Sequence, residues 1–273
     1  MYDASAAARS QPSARPAPVP KQADTLPSLT LLLSVDETSV DVLRNTWRTW
    51  MLHRRQLRDV PIVAIYDDSL DPESLAFLTA HQPATLVPWY ANPNDDCDRQ
   101  WSAGMLRVAA EHVTTPWYLR LEPPEAIALR KSLWFSQEWF EPAGDGPPPV
   151  YVAPRWGYSK PADVFRQLDD WGDEVPGLKE FPRLNWSFDP KSDRIQHPAI
   201  STWCWFVRTD WSREILGYLG DDGLPCESLA TYAAYCAARR EDPTLRVNMK
   251  ALGWDHSFAT QDKIARTCEL ILH

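Results

Sequence analysis

Strand-length apolar runs that alternate with helical stripes constrain this chain more than any other feature. The first run, Leu29-Thr30-Leu31-Leu32-Leu33-Ser34-Val35, shows no polar alternation. That suits a strand buried on both faces of a parallel sheet. Asp36-Glu37-Thr38-Ser39 supplies helix-start chemistry. The helix it opens runs to about residue 56, with Val40, Leu43, Trp47, Trp50 and Met51 on one face. Pro61 to Tyr66 reads as a second buried strand ending in Asp67-Asp68, and a short helix follows from Glu73 to His81. Ala84 to Trp89 makes a third strand. After the polar loop Asn92 to Asp96, a second long helix covers Asp98 to Val113. Strand and helix alternate three times over, which predicts an α/β fold with a mostly parallel sheet.

The fourth run, Trp117-Tyr118-Leu119-Arg120-Leu121, anchors the rest. It begins after a turn-like Thr114-Thr115-Pro116 and stops at Glu122-Pro123-Pro124-Glu125. Proline cannot donate to a sheet ladder, so the two acids belong on the exposed lip where the strand ends. Ligands of open α/β sheets bind at that lip. Acids there suit a divalent cation or a hydroxyl-rich ligand, or they simply close a strand with an acidic turn.

Beyond residue 130 the rhythm changes. Trp134 to Pro149 reads as an irregular excursion and Val150 to Pro154 as a short strand. Ala162 to Trp171 reads as a helix, and 176–199 as loop. Ile200 to Val207 is another strand, Pro225 to Arg240 a helix, and Leu245 to Met249 a final strand. Residues 1 to 27, rich in Ala, Pro, Ser and Arg without apolar periodicity, read as a disordered tail. Residues 28 to 273 read as one domain, a nucleotide-type half over 28–130 and an acceptor-type half over 131–273.

Bulk properties exclude several classes. A formal net charge of −9 argues against a partner held through nucleic-acid phosphates. The longest apolar run is too short to span a bilayer, and no signal-peptide core follows Met1. The five cysteines form no CxxC pair, which fits reduced thiols in a cytoplasmic protein better than a zinc knuckle or a disulfide frame. There is no GxGxxG, no GxxxxGK[ST], no GxSxG and no HExxH. What remains is a set of strand ends that carry acids: Asp36/Glu37, Asp67/Asp68 and Glu122/Glu125.

On those residues the chain resembles family-two-type glycosyltransferases of the GT-A fold. Ile65-Tyr66-Asp67-Asp68-Ser69-Leu70-Asp71 is similar to their VDDGSTD strand end. Asp98-Arg99-Gln100-Trp101-Ser102-Ala103-Gly104 resembles their ARN-x-G helix. Trp117 to Glu125 occupies the place of the YILFLDADD strand that carries the DxD metal motif. The likeness covers roughly residues 28 to 130, in order and spacing.

The resemblance implies a GT-A-like mixed, mostly parallel sheet and transfer of a sugar from a nucleoside diphosphate donor to an acceptor hydroxyl. It implies donor contacts from Asp36, Asp67, Asp68, Arg99 and Lys250, although Asp67 and Asp68 also suit an Asx turn. Glu122 stands at the first DxD position. The second is Pro124, which offers no ligand atom, so Glu125 and His256 are the other candidate ligands for a magnesium or manganese ion. Such ions keep few protein carboxylates beside substrate oxygens. Glu227 stands where inverting members carry a general base, or else it is a first-turn acid facing the helix dipole. The chain has 14 tryptophans. Trp156, Tyr158, Trp203 and Trp205 could wall an acceptor cleft or fill core. The Glu-Pro-Pro-Glu departure leaves a second function open, a non-catalytic GT-A-shaped module that binds a glycan or a protein. A sugar nucleotidyltransferase lacks support, because no Gly-rich, Arg-containing loop follows the first strand.

Overall fold

Seven strands form one mixed sheet, and its parallel half is built from the apolar runs described above. The computed structural model describes residues 26–35, 37–53, 55–66, 70–80, 83–88, 107–109, 111–121, 126–128, 135–154, 187–189, 194–196, 204–216, 233–234, 236–237, 240–247 and 254–256. The strands are β1 (Leu29–Val35), β2 (Ile62–Tyr66), β3 (Ala84–Pro88), β4 (Trp117–Leu121), β5 (Ala126–Ala128), β6 (Tyr151–Pro154), β7 (Ser187–Asp189), β8 (Arg194–Gln196), β9 (Cys204–Arg208), β10 (Leu245–Val247) and β11 (Trp254–His256). The helices are α1 (Glu37–His53), α2 (Pro72–Thr79) and α3 (Thr209–Leu216). Residues 107–109, 111–112, 233–234 and 236–237 are also helical.

The sheet order is β10-β6-β9-β4-β1-β2-β3. Strands β4, β1, β2 and β3 run parallel, whereas β9 is antiparallel to both β4 and β6. Every residue of β1 and of β4 is buried, which is why neither run alternates in polarity. On one face Leu29, Leu31, Leu33, Val35, Trp117, Leu119 and Leu121 meet the apolar stripe of α1. Val40, Leu43, Trp47 and Trp50 of that stripe are buried and Met51 is half-buried, as the helical spacing predicts. The region after residue 134 closes the same face. Phe135 and Phe140 pack edge-on against Phe206, with ring centroids 5.0 and 5.1 Å apart, a favoured aromatic geometry.

Threonine hydroxyls at the start of β1 and before β4 are matched. The Thr115 hydroxyl donates to the Trp117 carbonyl at 2.7 Å, so the Thr30 hydroxyl, 2.8 Å away, donates to Thr115 Oγ1. At α2, Asp71 caps the helix by accepting from the Ser74 backbone N–H at 2.9 Å and the Ser74 hydroxyl at 3.0 Å. Those two bonds hold the Asp71 carboxyl below its ordinary range. The cap therefore contributes fully above the unfolded-state pKa, and its contribution fades as pH falls through the lower folded-state value.

The opposite face of the sheet packs on α3. The Tyr118 hydroxyl donates to Ser212 Oγ at 2.8 Å, and the Tyr151 ring lies 5.8 Å from that of Trp211. Arg240 ties α3 to the segment leading into β10. It donates twice to Glu214, at 2.5 and 3.2 Å, and once to Asp242 at 3.0 Å. Asp242 also accepts from Trp211 Nε1 at 2.9 Å.

Burial pushes the phenols of Tyr118 and Tyr151 up to about 12 from an ordinary 10.0. Both raise their pKa on folding, so the stability linked to them is complete below pH 10 and lost as pH climbs through about 12. Urea midpoints measured across that window should fall steeply. Tyr118→Phe should flatten the fall, and an unchanged slope in that variant would show that Tyr118 is not one of the groups responsible.

Two expectations change here. Residues 176–199 are not loop throughout, since β7 and β8 pair as an antiparallel hairpin. Trp205 is not a cleft wall. It is fully buried on β9, in register with Arg120 and 5.9 Å from the Tyr151 ring.

Candidate functional site

The chain runs β1, β2, β3 in one direction across the sheet, then returns to lay β4 on the other side of β1. That reversal is a topological switch point, and ligands of open α/β sheets bind outside the carboxyl ends of the strands there. The register defines the edge closely. Val35 of β1 is opposite Tyr66 of β2, and Leu33 of β1 is opposite Leu121 of β4. The residues that follow these three strand ends in the chain are Asp36, Asp67 and Glu122. Neighbouring strands lie about 4.8 Å apart, so the three exit points span roughly 10 Å.

A two-stranded ribbon supplements this edge. β5, which begins four residues after Glu122, pairs antiparallel with β11, so His256 is in register with Ala126, Asp255 with Ile127 and Trp254 with Ala128. Ala126 follows Glu125 directly. The ribbon therefore brings the backbone of His256, from near the carboxyl end of the chain, to within a residue of the second acid of Glu-Pro-Pro-Glu. It also lies against α1, whose first turn follows Asp36.

Of the residues singled out from the sequence, Asp36, Asp67, Asp68, Arg99, Glu122, Glu125, Trp156, Tyr158, Trp203, Glu227 and Lys250 lie outside the described residues. His256 is placed by its backbone in β11. Trp205 belongs to the interior. Among the described residues no three His, Cys, Asp or Glu side chains gather as a metal site, and no helix is long and apolar enough to cross a membrane.

The sequence reading passed over Arg120. It sits at the centre of β4 with 0% exposure, two residues before Glu122. A cation inside an otherwise apolar strand was the available signal, because arginine is almost never fully buried unless paired.

The fold is that of GT-A-type glycosyltransferases. Core-mannan synthase A from Aspergillus fumigatus, solved in a Mn/GDP form, superposes with a TM-score of 0.57 at 11% identity, covering 90% of this chain and 82% of that one. The mannosyltransferase Ktr4p from S. cerevisiae gives a TM-score of 0.45 at 14% identity, over 82% of this chain and 66% of that one. A glycosyltransferase involved in glycosylation of the major capsid of PBCV-1 gives 0.42 at 11% identity, over 90% and 100%. No protein-family model matches the chain, and none of the curated proteins does.

Proposed function

We propose that this protein is a glycosyltransferase that moves a sugar from a nucleoside diphosphate donor to an acceptor hydroxyl. The observation that carries the reading is the switch point between β1 and β4, where three adjacent strand ends lead into Asp36, Asp67 and Glu122. Within it Asp67 and Asp68 hold the nucleoside, and Asp36, Arg99 and Lys250 contact the rest of the donor. Trp156, Tyr158 and Trp203 line the acceptor side, and Glu227 takes the acceptor proton.

A divalent cation fits the donor set. Glu122, Glu125 and His256 are the residues that would hold it, and the pairing of β11 with β5 supports their grouping. Carboxylate oxygens with one imidazole suit manganese or magnesium. Such an ion, when bound, offsets the charge that develops on a diphosphate leaving group.

Residues 28 to 273 form one domain in this reading, and a cytoplasmic setting is supported by cysteines that make no paired motif. Cys204 and Cys236 are both buried. The net charge of −9 supports a partner other than nucleic acid.

Calorimetric titration with GDP and UDP, each with and without manganese, tests the reading. Binding of one nucleotide, tightened by the metal, is the expected result. Core-mannan synthase A was solved with manganese and GDP, so that pair comes first. No binding of either nucleotide under either condition would favour the other function, a GT-A-shaped module that binds a glycan or a protein. Pro124, at the second DxD position, is the residue that supports that alternative.

A further inference from the structure

Four parallel strands end at the carboxyl edge of the sheet, and their last residues differ in what they offer a ligand. Val35 of β1 and Leu121 of β4 are buried and apolar. Pro88 of β3 is exposed but has no hydrogen-bonding side chain. Tyr66 of β2 is half-buried and carries both a flat ring and a hydroxyl. In register it stands between Val35 and Pro88.

Alternation along β2 puts Tyr66 on the face of Ile62 and Ala64, where it packs against the core beneath α1. Part of the side chain is thereby held in place, and the remainder stays accessible. The other tyrosines of these strands are committed to the interior. Tyr118 donates to Ser212, and Tyr151 packs on Trp205 and Trp211. Among the described residues no second ring stacks on Tyr66 and its hydroxyl makes no hydrogen bond. An aromatic side chain anchored on one part has little rotamer freedom left to lose when a ligand packs on the other.

Strand order says which part of a donor meets this ring. Glu122 follows β4, and the cation and diphosphate belong there in the donor-site reading above. β2 lies two strands across the same edge, roughly 10 Å away. The far end of a nucleoside diphosphate is its base, a flat π-system that stacks well on an aromatic face. Resting on that donor-site reading, we propose that Tyr66 is the platform on which the donor's nucleobase stacks. Every base has a π-face, so Tyr66 sets affinity for the nucleoside rather than choice among bases.

Calorimetric titration of the full chain with GDP and manganese tests this, run beside ribose 5-diphosphate, which keeps the sugar and diphosphate and lacks the base. UDP replaces GDP if only UDP binds the wild type. Tyr66→Ala should bind the nucleotide about 5–150-fold more weakly, the usual loss for one stacked base. It should bind ribose 5-diphosphate as the wild type does. Tyr66→Phe, which keeps the ring, should bind both nearly as the wild type does. If Tyr66→Ala shows no cooperative urea transition, Tyr66→Leu takes its place, since leucine fills the packed side and has no π-face.

Unchanged nucleotide affinity in the variant without a ring would overturn the proposal and leave Tyr66 a strand-end residue with its hydroxyl in water. An equal loss for the nucleotide and for ribose 5-diphosphate would overturn it too, because it marks a distorted edge and not a lost stack. A loss in Tyr66→Phe as large as in Tyr66→Ala would assign the contact to the hydroxyl and sink the stacking role. A wild type that binds neither GDP nor UDP defeats the donor-site reading itself, and the role given to Tyr66 with it.

Discussion

Trp205→Ala should lower the unfolding free energy by about 3–5 kcal/mol, the usual loss when a fully buried tryptophan is truncated. Domains of this kind are stable by only ~5–15 kcal/mol in total, so a loss of that size moves the urea midpoint far. Trp205 lies on β9 with no exposure, between Arg120 on the neighbouring strand and the Tyr151 ring. Its removal leaves a cavity that two neighbouring strands cannot collapse into without breaking their ladder. The indole N–H is buried without an acceptor among the described residues. Trp205→Phe, which keeps a ring and deletes that N–H, should therefore lose distinctly less. Urea midpoints of the two variants check the order. An acceptor-wall role would predict a different pattern, with little change in stability and a raised KM for the acceptor. That outcome would return Trp205 to the cleft.

The parallel half of the sheet was legible because strands buried on both faces read as unbroken apolar runs. β1 and β2 emerge at the expected positions, and the α1 stripe at Val40, Leu43, Trp47 and Trp50 needed only helical spacing. Trp205 was not legible for the same physical reason. β9 is Cys-Trp-Phe-Val-Arg, apolar on both faces, so parity could not separate an inward indole from one lining a cleft. β5 and β11 have three residues each, Ala-Ile-Ala and Trp-Asp-His. Neither has a local preference strong enough to mark a strand. Each is a strand only because its partner, over a hundred residues away in the chain, supplies the ladder. α3 follows β9 without an intervening loop, so no turn residues announced it. Among site residues, the acids could be read as strand ends from the prolines and the apolar runs before them. The adjacency of the strands that lead into them depends on β4 returning beside β1 rather than continuing past β3, which no local pattern specifies. Arg120 was passed over because a single charge in an apolar strand is equally compatible with a solvated edge until the strand order buries it.

Glu227→Gln should reduce kcat by roughly 10²–10⁴-fold while leaving donor binding intact, the loss expected when a general base is replaced by its neutral isostere. In an inverting transfer the acceptor oxygen forms its bond to the anomeric carbon as the bond from that carbon to the diphosphate breaks. The diphosphate leaves with the electron pair, and the proton of the acceptor hydroxyl must go to a base within hydrogen-bond reach. Only a carboxylate at residue 227, and not the amide, can take it. The competing role for Glu227 is interaction with the helix dipole, worth only about 0.3–1 kcal/mol of stability. Under that role Glu227→Gln would shift the urea midpoint slightly and leave kcat unchanged. The two roles therefore separate on one variant measured two ways: a loss confined to kcat, with calorimetric donor affinity unchanged, assigns the proton transfer to Glu227, and an intact kcat removes it from the chemistry.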